Sequence, residues 1–189
     1  KKLMIVSFLE GKAKYNLSPD NCKAIGIEAA KMHKLTKDFK IKRLNDLSVN
    51  SWRNLFDTVK DQCSKLHKDL PKLIEENLDN VEKKWPRDLP KGIIHADLFH
   101  DNIFFSKDKF SGIIDFYFSC EDFFAFEIAI CFNALCFDGI KDNLSFNVTK
   151  AKNFIDGYSS IRKLSDSEKQ SIKVLSQGAA LRFLLTRVF

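Results

Sequence analysis

The sequence predicts an α+β fold that is mainly helical and contains a small β-hairpin carrying a polar loop. Along most of the chain, apolar residues recur three and four positions apart, which is the spacing of one helix face. Short runs rich in Ile and Phe cluster near the middle, at residues 93–94, 103–105 and 113–114. Runs this short, bounded by polar residues and Gly, predict buried strands rather than helices.

The composition is that of a globular chain with room for one sizeable core. The 189 residues are 44% hydrophobic and include 18 Phe, so a disordered chain is excluded. The formal net charge is +6, but the lysines are scattered and form no basic block. We therefore expect no nucleic-acid partner.

The five cysteines and the most apolar stretch indicate a cytoplasmic protein without a membrane segment. The cysteines are odd in number, form no C-x-x-C pair and lie mostly in apolar surroundings, which predicts reduced, buried thiols. Residues 123–137 are strongly apolar but include Glu127 and are too short to cross a bilayer.

The start of the chain is interpreted as a connector between two lobes. Residues 3–9 form a strand-like run that ends at Gly11. We expect residues 1–11 to be an inter-lobe hinge strand and residues 12–189 to be a C-terminal lobe. A domain rarely opens inside its own strand, so an N-terminal lobe is expected to precede it. No glycine-rich phosphate-binding motif occurs in the sequence.

Helix signals follow in order along the chain. Ser18 and Pro19 are a typical helix start, and an apolar stripe continues to about Leu35, with His33 beside it as a core or capping residue. Residues 36–50 are polar and aperiodic, which predicts a loop. Amphipathic helices are expected from Ser51 and again after a break at Pro71.

The second half is also helical outside the strands. A turn is expected at 106–112, between the second and third strands. Residues 123–136 are apolar nearly all round, which a helix tolerates only at the centre of a core. Asn147 or Thr149 is expected to open the next helix, and the capping box at 165–168 to start the last one.

The polar loop between the first two strands contains the chemistry. His95, Asp97 and Asn102 form the pattern H-x-D-L-x-x-x-N, and Asp115-Phe116 follows after a hairpin, which is the spacing of a phosphoryl-transfer loop. Asp97 can accept a hydroxyl proton, while Asn102 and Asp115 offer the hard oxygen ligands that Mg²⁺ prefers. The chain is therefore predicted to be the mainly helical C-terminal lobe of a two-lobed, protein-kinase-like fold.

Other interpretations of the loop are weaker. His95 is expected to brace the loop backbone by a hydrogen bond rather than to act as a base. An Asp–Asn pair in a loop is often only turn chemistry. A metal site built from His95, Asp97, His100 and Asp101 lacks a helical H-x-x-x-H pair or thiolate support.

The same residues resemble a known superfamily. The segment 95–102 and the Ile-Asp-Phe-Tyr at 114–117 resemble the aminoglycoside phosphotransferase and choline kinase superfamily. Segments spread over the whole chain resemble, more narrowly, the homoserine kinase branch of that superfamily; they are 6–11, 85–90, 112–118, 129–134 and 178–187.

The resemblance implies that ATP and L-homoserine give ADP and O-phospho-L-homoserine in the presence of Mg²⁺, a step of threonine biosynthesis. It implies that Asp97 is the base and that Asn102 and Asp115 are the Mg²⁺ ligands. It further implies a nucleotide site in which the hinge backbone of Ser7, Phe8 and Leu9 meets adenine. Phe104 and Ile114 would form an apolar floor beneath the adenine.

Two departures from the family pattern affect the loop. His100 replaces a proline, so the loop is expected to be less rigid. Glu127 stands where the family has Asp, which puts in doubt how tightly this acid braces the loop. Without an N-terminal lobe, the chain alone is expected to bind nucleotide poorly and to turn over little.

The acceptor is less well determined by the sequence. Arg182 could clamp a substrate carboxylate or pair with a core acid such as Glu127, and both interpretations stay open. Tyr117 and Asn133 are further substrate-binding candidates, whereas Glu121 and Asp122 are more typical of loop capping. Alternative functions are phosphorylation of another small alcohol (an aminoglycoside, choline or methylthioribose) and a non-catalytic, kinase-like binding module.

Overall fold

A computed structural model describes residues 7–140 and 143–188 of the chain. The helices are α1 (Pro19–Leu35), α2 (Val49–Leu66), α3 (Leu70–Lys84), α4 (Phe124–Leu135), α5 (Val148–Ile161) and α6 (Asp166–Val188). The strands are β1 (Lys12–Ala13), β2 (Lys91–Ile94), β3 (Ile103–Ser106), β4 (Lys109–Ile113), β5 (Cys120–Phe123), β6 (Phe137–Asp138) and β7 (Ser145–Phe146). The predicted class, mainly helical α+β, is confirmed.

The predicted starts of α1, α5 and α6 are confirmed by their caps, whereas α2 begins at Val49 rather than Ser51 and α3 already begins at Leu70. The Ser18 side chain accepts from the backbone amide of Asn21, and Asn147 rather than Thr149 caps α5. The capping box before α6 is complete, because the Ser165 amide donates to Glu168 at 2.9 Å and the Glu168 amide donates to the Ser165 hydroxyl. Local side-chain chemistry therefore fixes these three boundaries.

The strands form three small antiparallel sheets, in the orders β1-β3-β4, β2-β5 and β6-β7. Strand β5 was not predicted, because its two acids, Glu121 and Asp122, obscure its alternation. The predicted turn between the second and third strands is present, but it is shorter than 106–112. Lys107 and Asp108 alone make the turn, both with positive φ, so β4 already begins at Lys109.

The predicted hinge strand is not observed where it can be assessed. Most of the run at 3–9 lies outside the described residues, and residues 7–10 belong to no strand. This segment is still attached to the β3–β4 hairpin. The Ser111 hydroxyl donates to the Glu10 carbonyl, and a Cβ added to Gly112 would lie 2.9 Å from the Leu9 side chain.

Helix α4 separates two halves of the core, as its all-round apolar sequence predicts. One half packs α2, α3 and α6 against α4, with Trp52, Phe56 and Phe126 fully buried. The other packs α1 and α5 against α4, with Ile25 and Phe154 at its centre. The apolar run at 123–136 is therefore a core helix, and no helix in the described ranges is long and apolar enough to cross a membrane.

Helices α1 and α5 touch backbone to backbone at two glycines. A Cβ on Gly26 would lie 2.2 Å from the Phe154 carbonyl oxygen, and one on Gly157 would lie 2.1 Å from the Lys23 carbonyl oxygen. Neither obstacle is a flexible side chain, so a methyl group at either position must push the helices apart.

We expect Gly157→Ala to destabilise the protein by about 2 to 3 kcal/mol, because overpacking at this crossing outweighs the higher helix propensity of Ala. Urea denaturation followed by circular dichroism measures the change. Asp156→Ala, an exposed neighbour on α5, is the control and should stay within about 0.5 kcal/mol of the wild type. Equal midpoints for the two variants would contradict the close helix contact.

His33 is a core histidine, one of the two roles the sequence favoured. Its side chain is fully buried, its Nδ1 lies 2.7 Å from the Tyr158 hydroxyl, and its ring stacks on Phe124 with centroids 4.5 Å apart. Burial, aided by the charge of Arg162, lowers the pKa of His33 from 6.5 to about 3.

This buried imidazole makes stability depend on pH. Between the two pKa values the unfolded chain binds the proton and the folded chain does not, so acidification favours unfolding. We expect the free energy of unfolding to fall by about 2 kcal/mol from pH 7 to pH 5 through His33 alone. Urea titrations at both pH values measure it. His33→Leu should lose this component and the exposed-site control His67→Leu should keep it; identical slopes would refute the assignment.

Candidate active site

The polar loop connects two different sheets. It leaves β2, which pairs with β5, and enters β3, which pairs with β1 and β4. A short 3₁₀ turn, His100–Asn102, leads directly into β3. The loop is therefore anchored at both ends by strands, although not by one shared hairpin.

Glu127 of α4 holds the start of the loop. Its Oε2 accepts hydrogen bonds from the backbone amides of His95 and Ala96, the latter at 3.1 Å, and the side chain is fully buried. Ala96 has a φ of 64°, a left-handed conformation that costs energy in a residue with a side chain. Burial raises the pKa of Glu127, against the lowering effects of His95 and the two amides. The Glu at this position does brace the loop.

His95 ties the loop to the end of β4. Its Nδ1 accepts from the Asp97 amide at 3.3 Å, so its Nε2 carries the proton and donates to the Ile114 carbonyl at 2.9 Å. The ring is fully buried and packs beside Phe116. Both ring nitrogens are engaged, which is the predicted bracing arrangement and leaves neither free to act as a base.

Arg182 supports the loop from α6. Its Nη1 donates to the Ala96 carbonyl, and its guanidinium lies over the Phe183 ring at 4.6 Å. Within the described residues it forms no ion pair with Glu127, although its charge partly offsets the rise that burial causes in the pKa of Asp97 and of Glu127. The interpretation of Arg182 as a direct partner of Glu127 is therefore wrong.

Asp97 and Asn102 lie side by side in the loop. The Asn102 Nδ2 donates to the Asp97 carbonyl at 2.8 Å and approaches its carboxylate at 3.4 Å, while the Asn102 carbonyl accepts from the Ile114 amide at 3.0 Å. Asp97 is half-buried. Burial raises its pKa, and the charges of Arg182 and His95 oppose this. The carboxylate is thus fixed, partly shielded from water and open on one side.

Asp115 reaches the same mouth from β4. It follows Ile114, whose amide and carbonyl are the groups bonded to Asn102 and His95, and its charge acts on Asp97. Its φ of 60° is one that Asp tolerates, and its Oδ1 accepts from the Tyr117 amide at 3.3 Å.

The oxygens of Asn102 and Asp115 fit a Mg²⁺ ion. The Asn102 amide bonds found in residues 7–140 and 143–188 use its nitrogen and leave its Oδ1 free, and Asp115 is exposed. Hard, few and partly solvated oxygens are the donor set that Mg²⁺ takes.

In the part of the chain that the structure describes, no three His, Cys, Asp or Glu side chains could hold a metal. The rival site, of which His100 would be a member, is therefore wrong.

His100, where the family has proline, is supported by stacking. Its ring lies on Tyr15 with centroids 5.8 Å apart and planes inclined by 22°. The position is half-buried and lies in the 3₁₀ turn. Tyr15 was not singled out by the sequence, because an isolated aromatic residue in a polar segment gives no signal of its partner.

The residues expected near adenine lie on or beside the β3–β4 hairpin. Phe104 is paired with Gly112 in the sheet, Leu9 packs against Gly112, and Ile114 follows the strand end; Phe104 and Ile114 are half-buried. Ser7 is exposed and Phe8 is 90% exposed.

The three substrate candidates do not come together. Tyr117 and Arg182 line one small cavity of about 220 Å³. Asn133 instead donates to the Ser176 carbonyl at 2.8 Å and lines a different, mostly apolar cavity beside Phe183. Arg43 and other residues of the loop after α1 also line the first cavity; polarity was their only signal in the sequence.

Comparison with known proteins identifies relatives of this chain. The model of a family described as the phosphotransferase enzyme family matches residues 1–159. The homoserine kinase of Agrobacterium fabrum is 44% identical over 185 residues, which is 98% of this chain and 56% of the relative. The homoserine kinase of Nitrobacter hamburgensis is 46% identical over 184 residues, 97% of this chain and 56% of the relative. The chain thus spans just over half the length of these relatives.

Solved structures share the fold at low sequence identity. An amicoumacin kinase, solved in complex with AMP-PNP, Ca²⁺ and its ligand, has a TM-score of 0.63 and 17% identity; the match covers 94% of this chain and 54% of that one. This likeness supports the predicted kinase-like architecture.

Proposed function

Because the chain belongs to the phosphotransferase enzyme family, we propose that it forms the catalytic lobe of a kinase that phosphorylates the hydroxyl of L-homoserine. The observation that carries the proposal is the constellation of Asp97, Asn102 and Asp115 at one loop mouth, together with the identity to homoserine kinases. The products would be ADP and O-phospho-L-homoserine, as in threonine biosynthesis.

In this proposal Asp97 accepts the proton of the acceptor hydroxyl. Its carboxylate is oriented by Asn102, and its partial burial raises its pKa, which strengthens it as a base. His95 and Glu127 fix the backbone that carries it. Positioning and charge stabilisation supply most of the catalysis in phosphoryl transfer, so a rigid loop is the main contribution of this lobe.

Asn102 and Asp115 would hold Mg²⁺, which when bound neutralises charge on the phosphate oxygens. On the nucleotide side, Leu9, Phe104 and Ile114 would provide apolar contacts to adenine, and the backbone of Ser7 and Phe8 would lie at its edge. The complex of the amicoumacin kinase with AMP-PNP and Ca²⁺ supports nucleotide and divalent-cation use within this fold. ATP and Mg²⁺ are accordingly the proposed cofactors.

A phosphate-transfer assay on the complete reading frame tests the acceptor. Homoserine, choline, kanamycin and methylthioribose are each supplied with ATP and Mg²⁺, and ADP release is measured. We expect turnover with homoserine and no turnover with the other three alcohols. Turnover only with another alcohol would overturn the acceptor and keep the kinase, whereas no turnover with any alcohol would favour a binding module.

The 189-residue chain by itself provides a second measurement. The sequence contains no glycine-rich phosphate-binding motif, so we propose that it binds nucleotide weakly and turns over far more slowly than the complete protein. A cytoplasmic location belongs to the same proposal and is supported by five free, buried cysteines.

A further inference from the structure

Two thiols meet at the edge of the core, where α1 begins and α4 ends. Cys22 lies in the first turn of α1, and Cys136 is the residue that caps the C-terminus of α4. Both side chains are fully buried, in the half of the core that contains α1 and α5. The two thiols are hydrogen-bonded to each other, so their sulfur atoms are neighbours. Neighbouring sulfurs are the first requirement of a disulfide bond.

The two helix ends act oppositely on the two thiols. The N-terminus of α1 carries partial positive charge, which favours a thiolate at Cys22, and the C-terminus of α4 carries partial negative charge, which disfavours one at Cys136. The hydrogen bond from Cys136 lowers the pKa of Cys22, while the same bond together with burial raises the pKa of Cys136. Cys22 is therefore the nucleophile of the pair, and Cys136 is the thiol that keeps its proton.

A buried lysine strengthens this nucleophile. Lys150 is 6% exposed, and its ammonium group is bonded to the carboxylate of Asp138. After the hydrogen bond from Cys136, the charge of Lys150 also lowers the pKa of Cys22. Of the five cysteines, all within the described ranges, only Cys22 has a lowered pKa; the pKa of each of the other four is raised. A thiol beside an ammonium group at a helix N-terminus is a typical reactive cysteine.

The pair lies just beneath the surface, where a small oxidant can reach it. Lys23 and Phe137, the residues that follow the two cysteines, are exposed. The ends of helices open more readily than the centre of a core, and peroxide is nearly as small as water. A third thiol, Cys131, is close to Cys22, but no three His, Cys, Asp or Glu side chains among the described residues could hold a metal.

The pair also lies behind the 3₁₀ turn of the polar loop. Burial, aided by the charge of Lys150, lowers the pKa of His100 in this turn. Asn21, the residue before Cys22, donates to the Asp108 carbonyl in the β3–β4 turn at 3.4 Å. A disulfide holds its sulfurs about 2.05 Å apart, well inside the contact distance of two thiols. Closing it must therefore draw the start of α1 toward the end of α4 and shift the elements that hold the loop.

We propose that Cys22 and Cys136 are an oxidation site, which closes to a reversible disulfide in the presence of a peroxide and slows phosphoryl transfer. The Cys22 thiolate attacks one peroxide oxygen, the O–O bond breaks, hydroxide leaves, and Cys22 becomes a sulfenic acid. Cys136 then attacks the sulfenic sulfur. The S–S bond forms, the S–O bond breaks, and the hydroxyl group leaves with the Cys136 proton as water. The hydroxide takes up the proton that Cys22 had released, so two thiols are oxidised and one peroxide is reduced to two waters.

The test oxidises the complete, folded protein with hydrogen peroxide and measures two quantities. A peptide map under non-reducing conditions should show Cys22 joined to Cys136, and dithiothreitol should separate them. As the linked fraction rises, kcat with homoserine should fall on the order of 10-fold and recover with dithiothreitol, because small displacements near the reacting groups are costly.

Single substitutions identify the role of each thiol. Cys136→Ser should give no linked peptide and should leave a Cys22 sulfenic acid that dimedone traps. Cys22→Ser should give neither product. Cys63→Ser removes a fully buried thiol from the other half of the core and is the matched control. It should link Cys22 to Cys136 and lose activity as the wild type does.

The effect on turnover rests on the proposed function, whereas the disulfide does not. No linked peptide in the folded wild type would overturn the disulfide, and this measurement needs no variant that could fail to fold. A link from Cys22 to Cys131 would overturn the assignment of Cys136. A linked peptide with unchanged kcat would overturn the effect on turnover. If the protein phosphorylates no alcohol, the proposed function fails, while the peptide map still decides the disulfide.

Discussion

Asp97→Asn is expected to lower kcat for phosphoryl transfer on the order of 1,000-fold, with little change in folding stability. The amide keeps the shape of the carboxylate but cannot accept the acceptor proton, and general-base catalysis typically contributes about 10²- to 10⁴-fold. Asn102 can still approach the side-chain oxygen, so the loop geometry should persist. Homoserine-dependent ADP release by the complete protein measures the effect.

The matched control is Asp101→Asn, an exposed acid in the same loop. It removes the same charge four residues later without touching the proposed proton acceptor, and it should retain most of the activity. Thermal unfolding of both variants checks that the fold is intact. If Asp97→Asn kept more than about a tenth of the wild-type kcat, Asp97 could not be the general base.

Glu127→Ala is expected to destabilise the protein by about 3 to 5 kcal/mol, because it leaves buried donors without an acceptor. The amides of His95 and Ala96 would both lose their partner, in a region closed to water. The left-handed conformation of Ala96 would then lose its main support. Residual activity should fall by more than the folded fraction does, since the same loop carries Asp97. Urea denaturation and kcat together measure the two effects.

Glu127→Gln distinguishes the hydrogen-bond role from the charge. The Gln side chain keeps one carbonyl oxygen that can accept from both amides, so it should recover most of the stability lost in the Ala variant. A Gln variant as unstable as the Ala variant would mean that the negative charge beside His95 and Arg182 matters more than the two amide bonds.

The helices were predictable because their signals are local. The cap at Ser18, the capping box at Ser165 and the apolar stripes each lie within a few residues of the boundary they set. Strand β5 was not predictable in the same way. Glu121 bonds to Lys42 and Asp122 accepts a hydrogen bond from Asn45, and both partners are remote in sequence. The strand propensity of this segment is therefore low, although long-range hydrogen bonds stabilise the strand.

The same difference between local signals and remote partners applies to the candidate site. The spacing of Asp97, Asn102 and Asp115 was visible because one short loop and the adjoining hairpin carry all three. The supports of the loop come from residues far along the chain: Arg182 bonds to Ala96, and Tyr15 stacks on His100. Asn133 stays a prediction: its side-chain nitrogen bonds to the Ser176 carbonyl, and it lines a different cavity from Tyr117 and Arg182. A single residue therefore indicates chemistry only where the fold places its partner residues beside it.

The five buried thiols can report which parts of the core open transiently. Cys22, Cys63, Cys120, Cys131 and Cys136 are all free and at most 2% exposed, and they lie in both halves of the core. A thiol reagent can label each of them only while the surrounding elements are transiently apart. Labelling rates read by peptide mass would therefore map which helices separate first, with no substitution needed.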